Sequence, residues 1–532
     1  MGVASSTLSA EPAGSQSAHK WLIALAVMLG TALQVLDTSI VNVSLPHMQG
    51  SFSASVDEIA WVVTSYLVAN GIMLAMTGFI AGRFGRKRYF LFSVFAFVLT
   101  SALCGIAGSL DQIVLFRILQ GAAGAAMQPL SQAILMETFP PDEQQMAMAA
   151  WGLGLMAAPI LGPTLGGWIT DKWSWRWNFY INVPIGALAF LMVYVFVHDP
   201  PYLRRHRKTA SHIDWLGIGL LTVGLGLFQI VMDRGQRSDW FQTAWVCEAS
   251  VVALVALVWL PFQELRCKEP VFDVRVLKEP VFALAIFLLV CTSFVLYGTS
   301  LLNPVFFQEF MGYSAWDAGL VLAPRGIGSA IALLTVGALA RRRVDTRPLL
   351  GLSFILMAWG LWEISKWNLQ VGMWGIIWPT LIVGCGLGVG FPILTAIGLS
   401  CFRAERMSHA TSVFNVIRAM GAAIGVSYMS TMFIRYQQIH QSRLVDDFSV
   451  FNAWKLSQAP LRMPGSPAFH YLPQLLTGQK QGLERVYGLI QSQSAMLSLN
   501  DIYRILALAM ILLVPAFLWL PRQGTAAGAA MD

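Results

Sequence analysis

Charge is what this chain has least of: Asp, Glu, Lys and Arg make up 12% of its 532 residues, against 56% hydrophobic side chains. A soluble protein of this length alternates apolar with polar residues around several cores, so the balance excludes an ordinary soluble enzyme. Short alternating strands of about ten residues are missing too, which excludes a transmembrane β-barrel. The six cysteines form no CxxC pair and lie in or beside apolar runs, so neither a disulfide framework nor a metal site is expected. Of the eight histidines, His198, His206 and His212 share one basic loop without ligand-like spacing, and His47 follows Pro46 as a surface residue. No phosphate loop, HExxH helix or Ser-His-Asp neighbourhood occurs, which disfavours an enzyme and ATP as a direct energy source. No cofactor is expected. The glycine repeat GCGLGVGFP at 384–392 lacks the strand-to-helix context of a dinucleotide site and reads as close helix packing.

What is present is a succession of apolar runs, and a helix needs about 20 residues to cross roughly 30 Å of hydrocarbon. The runs predict an all-α integral membrane protein with spans at 21–45, 59–81, 89–108, 113–136, 146–170, 179–197, 215–233, 245–263, 283–303, 315–339, 349–365, 374–401, 411–434 and 502–520. The polar stretch 1–20 is followed by an apolar stretch that shows no small-residue cleavage site to Val35, so the first run is read as an uncleaved span. Basic residues crowd GRFGRKR (82–88), YLRRHRKTASH (202–212) and ARRRVDTR (340–347), all on one side of the predicted membrane. By the positive-inside rule both termini are cytoplasmic, and the net charge of +7 is a topology signal rather than a nucleic-acid footprint.

An ionisable group in hydrocarbon costs about 2.5–3.5 kcal/mol on insertion scales, so each one needs a reason. Asp37, mid to late in the first span, Arg117, which opens the fourth, Arg325 and Arg418 fall inside predicted spans. A desolvated carboxylate can take up and release a proton near neutral pH, and a nearby Arg can tune it, so Asp37 and Arg117 are the candidate switch. A static pair that merely orients helices is the competing reading, and it is the favoured one for Arg325 and Arg418. Glu248 and Glu363 lie near outer span ends, where a carboxylate reaches water. The fifth span, GLGLMAAPILGPTLGGW, crowds Gly162, Pro163, Gly166 and Gly167 into a segment that either bends or packs closely. Trp173, Trp175 and Trp177 mark an outer interface. The polar segment 435–501 is a long outer loop whose second half, GLERVYGLIQSQSAMLSLNDIYRI, has helical spacing.

Five segments resemble one family. LDTSIVNVSLP in the first span, GFIAGRFGRKRYF after the second, RILQGAAGAAMQP in the fourth, AAPILGPTLGGW in the fifth, and WRWNFYINVPIG with the two central spans resemble the major facilitator superfamily. Within it, the chain is most similar to the fourteen-span drug:proton antiporters of the EmrB type. The resemblance implies two six-helix bundles with two extra central helices between them. The corresponding parts are a tail (1–20), an N-terminal bundle (21–197), the extra spans with their loops (198–282), a C-terminal bundle (283–520) that includes the outer segment 435–501, and a second tail (521–532). It further implies that Asp37 and Arg117 serve proton coupling, that Gly162, Pro163, Gly166 and Gly167 form the antiporter motif, and that Gly78, Gly85, Arg86 and Lys87 gate the inner loop. One departure stands out: the loop motif usually carries an acid before its first Arg, and here Gly82 precedes Arg83.

The function so implied is proton-coupled export of lipophilic drugs or toxic compounds across a bacterial inner membrane. The implied partners are a periplasmic adaptor (EmrA-type) and an outer-membrane channel (TolC-type), with 435–501 as the contact or exit region. The same fold also admits a dedicated exporter or uptake carrier for one metabolite, and a non-transporting membrane sensor is the third reading. Three intramembrane Arg against one deep acid favour neutral or weakly acidic substrates, with Glu363 or Glu248 able to change that balance if the cavity brings them inward.

Overall fold

The structure is a computed structural model that describes residues 13–140, 143–198, 214–267, 270–341, 347–403, 406–447 and 480–520. Among the described residues every regular element is helical. In chain order the long helices are α1 (Ala13–Phe52), α2 (Trp61–Phe84), α3 (Arg86–Ile106), α4 (Leu110–Thr138), α5 (Gln144–Lys172), α6 (Trp177–Phe196), α7 (Trp215–Arg234), α8 (Ala244–Arg266), α9 (Pro280–Glu309), α10 (Ala315–Arg341), α11 (Arg347–Ile364), α12 (Met373–Ser400), α13 (Met407–Asp447) and α14 (Lys480–Leu513). Twelve of them contain stretches long and apolar enough to cross a membrane, and α5 and α11 occupy the two remaining predicted positions. The protein is a multi-pass membrane protein.

Local chemistry explains where these helices start, break and turn. Ser109 caps α4 by accepting from the Gln112 N–H, and Asp214 caps α7 by accepting from the Gly217 N–H. Gly85 adopts φ 91°, which glycine tolerates and which lets α2 reverse directly into α3. The predicted fourth span is interrupted at Ala125–Ala126, because Pro129 has no N–H to offer one turn back. Pro46, by contrast, does not end the first helix, which continues to Phe52.

Helices α1–α6 pack on one another, chiefly α1 on α5 and α6, and α4 on α2 and α3. Helices α9–α14 do the same, with α12 against α10 and α11, and α13 against α9 and α14. The two groups meet along two seams, α5–α10 and α2–α13. Of the intervening pair, α7 lies against α2 and α13, while α8 packs mainly on α7.

Two expectations change. Trp173 and Trp177 are exposed as an interfacial belt requires, but Trp175 turns inward. Its indole N–H donates to Ser51 Oγ at 3.0 Å and its ring packs against Phe52 and Phe179, because the chain turns between α5 and α6 here and does not keep the three Trp on one face. The start of the outer segment is not loop but the continuation of α13, whereas its second half is helical as its spacing predicts and runs into the last span as α14. The middle of that segment, the loop 202–212 with His206 and His212, Arg342 and Arg343, and the tail 521–532 lie outside the described residues.

Candidate functional site

Asp37 sits where α1 passes α4, and both it and Arg117 are fully buried. The structure brings the two together: Arg117 Nη1 donates to Asp37 Oδ2 at 2.7 Å and to Gln120 Oε1 at 2.8 Å. Arg117 Nε donates to the Val62 carbonyl of α2 at 3.1 Å, and its guanidinium lies 4.1 Å from the Tyr66 ring centroid. The other carboxylate oxygen, Asp37 Oδ1, accepts from Gln120 Nε2 at 2.9 Å and from Asn182 Nδ2 at 2.6 Å. Asn182 also donates to Ser101 Oγ, whose hydroxyl donates to the Phe179 carbonyl. Five helices thus converge on one ion pair.

Gln120, Asn182, Ser101 and Tyr66 are absent from the sequence-derived set. Gln120 carried a signal, since it lies one turn from Arg117 in RILQ and therefore on the same helix face. Asn182 carried none, because its reach to Asp37 depends on how α6 docks.

In this arrangement the Asp37 carboxylate accepts three hydrogen bonds from Arg117, Gln120 and Asn182. Removing either member of the ion pair would leave the other charge buried and uncompensated, a loss of about 3–5 kcal/mol. Separating the two therefore requires α1, α2 or α4 to shift. Asp37 is sealed from solvent.

The glycines of α5 explain the contact that holds α1 in place. A Cβ on Gly162 would lie 2.4 Å from Ser39 Oγ, and one on Gly166 3.0 Å from Ile40 Cγ2, so both are where α5 presses on the turn that follows Asp37. Gly167 has ordinary room, with Val43 Cγ1 at 3.8 Å from its would-be Cβ. The side chain of Pro163 lies outside the described residues.

A second constellation closes one end of the molecule. A Cβ on Gly78 would stand 2.9 Å from the His409 Cα, so α2 and the start of α13 touch backbone to backbone there. Arg86, buried, donates through Nε to Ser408 Oγ at 2.6 Å and pairs with Glu137 at the end of α4. Glu137 thereby supplies, from another helix, an acid that the loop lacks at Gly82, and His409 Nε2 lies 3.8 Å from where a Cβ of Gly82 would stand. Lys87 donates to the Tyr194 carbonyl at 2.6 Å, tying α3 to α6. Further in, Trp151 of α5 stacks on Phe391 of α12 across the two groups of helices.

The secondary candidates separate. Glu363 is at the end of α11, paired with Lys366 at 2.7 Å, and Glu248 is exposed. Arg325 donates to Thr299 Oγ1 at 3.0 Å and to the Leu296 carbonyl within the second group. Arg418 reaches across to the first group, where Gln128 Oε1 accepts from its Nη2 at 2.6 Å.

The chain matches the Major Facilitator Superfamily over residues 27–426. It is 34% identical over 509 residues to the multidrug export protein EmrB of Haemophilus influenzae, covering 95% of this chain and 96% of that protein. It is 33% identical over 515 residues to the EmrB of Escherichia coli (strain K12), covering 96% and 97%. Its fold is shared with the proton:xylose symporter XylE, at 15% identity and a TM-score of 0.59 over 95% of this chain and 97% of that one. With the family matched over most of its length, and relatives a third identical covering nearly all of it, the chain belongs to the Major Facilitator Superfamily and is a membrane transporter related to EmrB.

Proposed function

We propose that this protein is a proton-coupled antiporter that exports lipophilic drugs or toxic compounds, with Asp37 as the proton carrier and Arg117 as its counter-ion. The observation that carries the reading is the Asp37–Arg117 pair, fully buried and fully hydrogen-bonded by Gln120 and Asn182. Its protonation and its geometry cannot change independently, which is what coupling a proton to a conformational change requires. The export names of the EmrB relatives, identical at a third of positions over nearly the whole chain, support the direction and the substrate class.

In this reading the Gly78, Gly85, Arg86 and Lys87 constellation is the cytoplasmic gate, shut here by His409, Ser408 and Glu137. The basic loops support an orientation with both termini cytoplasmic in a bacterial inner membrane. Gly162 and Gly166 keep α5 pressed on α1, so that rocking of the two bundles is transmitted to Asp37.

Helix α13 has 41 residues, roughly 60 Å at 1.5 Å per residue and about twice the hydrocarbon thickness. Its outer end and the start of α14 therefore form a prong beyond the bilayer, joined by His440 to Asp501 at 2.9 Å. We assign that prong to a periplasmic adaptor of the EmrA type, leading to a TolC-type channel. Deleting part of 440–490 should then impair efflux from cells while sparing transport by the purified protein; equal loss in both assays would refute docking.

The deciding experiment is reconstitution into liposomes under an imposed proton gradient, with lipophilic cations, neutrals and weak acids, for wild type and Asp37→Asn. Gradient-driven movement of chemically different compounds that fails in the variant is the expected result. Movement of one compound alone would indicate a dedicated carrier, and movement of none a sensor.

A further inference from the structure

Two adjoining residues in the turn between α7 and α8 hold a backbone conformation that side chains avoid. Asp239 has φ 51° and Trp240 φ 52°, both in the left-handed region. Such strain persists only where surrounding contacts hold it, and it gathers at clamps and switches. The Trp240 N–H donates to the Gly235 carbonyl at 2.8 Å, and the Gly235 N–H to the Val231 carbonyl at 2.8 Å, so the turn is stitched to the end of α7. A Cβ on Gly235 would stand 2.7 Å from the Trp240 ring, so the ring folds back over a position that only glycine leaves free.

What the strained residue reaches is the other bundle. Trp240 Nε1 donates to Gln236 Oε1 at 3.0 Å within the turn and to Thr431 Oγ1 of α13 at 3.1 Å. Thr431 is buried and its own hydroxyl donates to the Ser427 carbonyl at 2.8 Å, which leaves the oxygen to accept from Trp240. The other end of the same stretch grips the first bundle. Asp233 accepts from the buried Thr64 hydroxyl of α2, and the Arg234 guanidinium lies 4.6 Å from the Trp61 ring centroid. Thr64 in turn adjoins the turn of α2 whose Val62 carbonyl accepts from Arg117. At their inner end α2 and α13 meet directly, through Gly78 on His409 and Ser412 on Ala75. Toward the outer end the stretch from Asp233 to Trp240 ties the same two helices together.

A piece of chain stitched to α7 without slack can satisfy Thr64 and Thr431 at one relative position of the two bundles only. Rocking that parts the inner end displaces the outer ends of α2 and α13 against each other, and the bond held by the strained residue is the one that strain disfavours. We propose that the turn 235–243 is a conformational lock, in which Trp240 docked on Thr431 holds the bundles in the arrangement whose inner end is shut and springs free when that end opens. The lock rests on the inner-gate reading above and adds a latch at the opposite end of the same seam. It makes the central pair α7–α8 a working part of the transport cycle.

The test is alkylation of the full chain in lipid nanodiscs by a charged maleimide, with Cys104 kept, the other native cysteines replaced by serine and Ala75→Cys added. Ala75 is fully buried in the inner seam and Cys104 within the first bundle, so both positions should label slowly. Thr431→Val should speed labelling at position 75 roughly fivefold, the net worth of one hydrogen bond, while Thr431→Ser, which keeps the hydroxyl, should not. Asp239→Gly relieves the strain without touching the bond and should slow labelling there. Cys104 should stay protected throughout. Labelling at position 75 unchanged by Thr431→Val would overturn the lock, as would a parallel rise at Cys104, the mark of a loosened fold, or faster labelling with Asp239→Gly. Rapid labelling at position 75 in every background would show that the inner end is not shut, and the gate reading would fall together with the lock built on it.

Discussion

Asp37 has three donors on its two carboxylate oxygens, and they are not equivalent. Asp37→Asn removes the charge and the proton, so proton-coupled transport should vanish while the protein still folds and inserts; retained coupling in proteoliposomes would remove Asp37 from the mechanism. Arg117→Ala strands the carboxylate and should abolish transport as well, whereas an uncoupled proton leak would make Arg117 a gate. Asn182→Ala leaves Arg117 and Gln120 in place, so coupling should survive with a rate lowered about tenfold, as expected for one hydrogen bond to a charged group. At this scale the two charges were legible in the sequence because ionised groups in spans are so few. Asn182 and Ser101 were not, because neutral polar residues are common in spans and only the docking of α6 decides what they touch.

Most helices were legible to within a few residues from their apolar runs, but a bordering proline was no reliable stop: α1 runs through Pro46 to Phe52 and α9 through Pro304 to Glu309. The misreadings have physical causes. Helix α13 overruns its apolar run because a helix, once formed, continues through polar residues in water, and α4 breaks inside its run because apolarity says nothing about a missing proline N–H. Close packing was visible as glycine content but not as contact. The structure distinguishes positions that the motif treats alike: Gly162→Val collides with Ser39 and should destabilise the purified protein by about 1–3 kcal/mol, whereas Gly167→Ala should leave the thermal midpoint unchanged. Thermal unfolding in detergent checks both, and an unchanged midpoint for Gly162→Val would mean that α1 yields easily at that contact.

For the molecule as a whole, the closed end depends on α2 meeting α13 without a side chain between them. Gly78→Leu should force that end apart, because the added side chain begins 2.9 Å from the His409 backbone. A disulfide between Ala75→Cys and Ser412→Cys, whose parent residues are joined by a 3.1 Å hydrogen bond, should form readily in an otherwise cysteine-free background and drop severalfold when Gly78→Leu is added. Unchanged cross-linking would show that the seam tolerates the bulk. The bundle arrangement itself came from motif resemblance; composition and hydropathy predict spans and sidedness but are silent on which helix touches which. Nothing in the chain foretold that α7 would settle beside α2 and α13.

That seat makes the protein's boundary with lipid lopsided. Along α2–α13 the pair α7–α8 stands between the crevice and the acyl chains, whereas among the described residues no such pair flanks α5–α10. A hydrophobic molecule dissolved in the leaflet and diffusing sideways would meet a screened flank on one side and a bare one on the other, so lateral entry, where it occurs, has a single doorway.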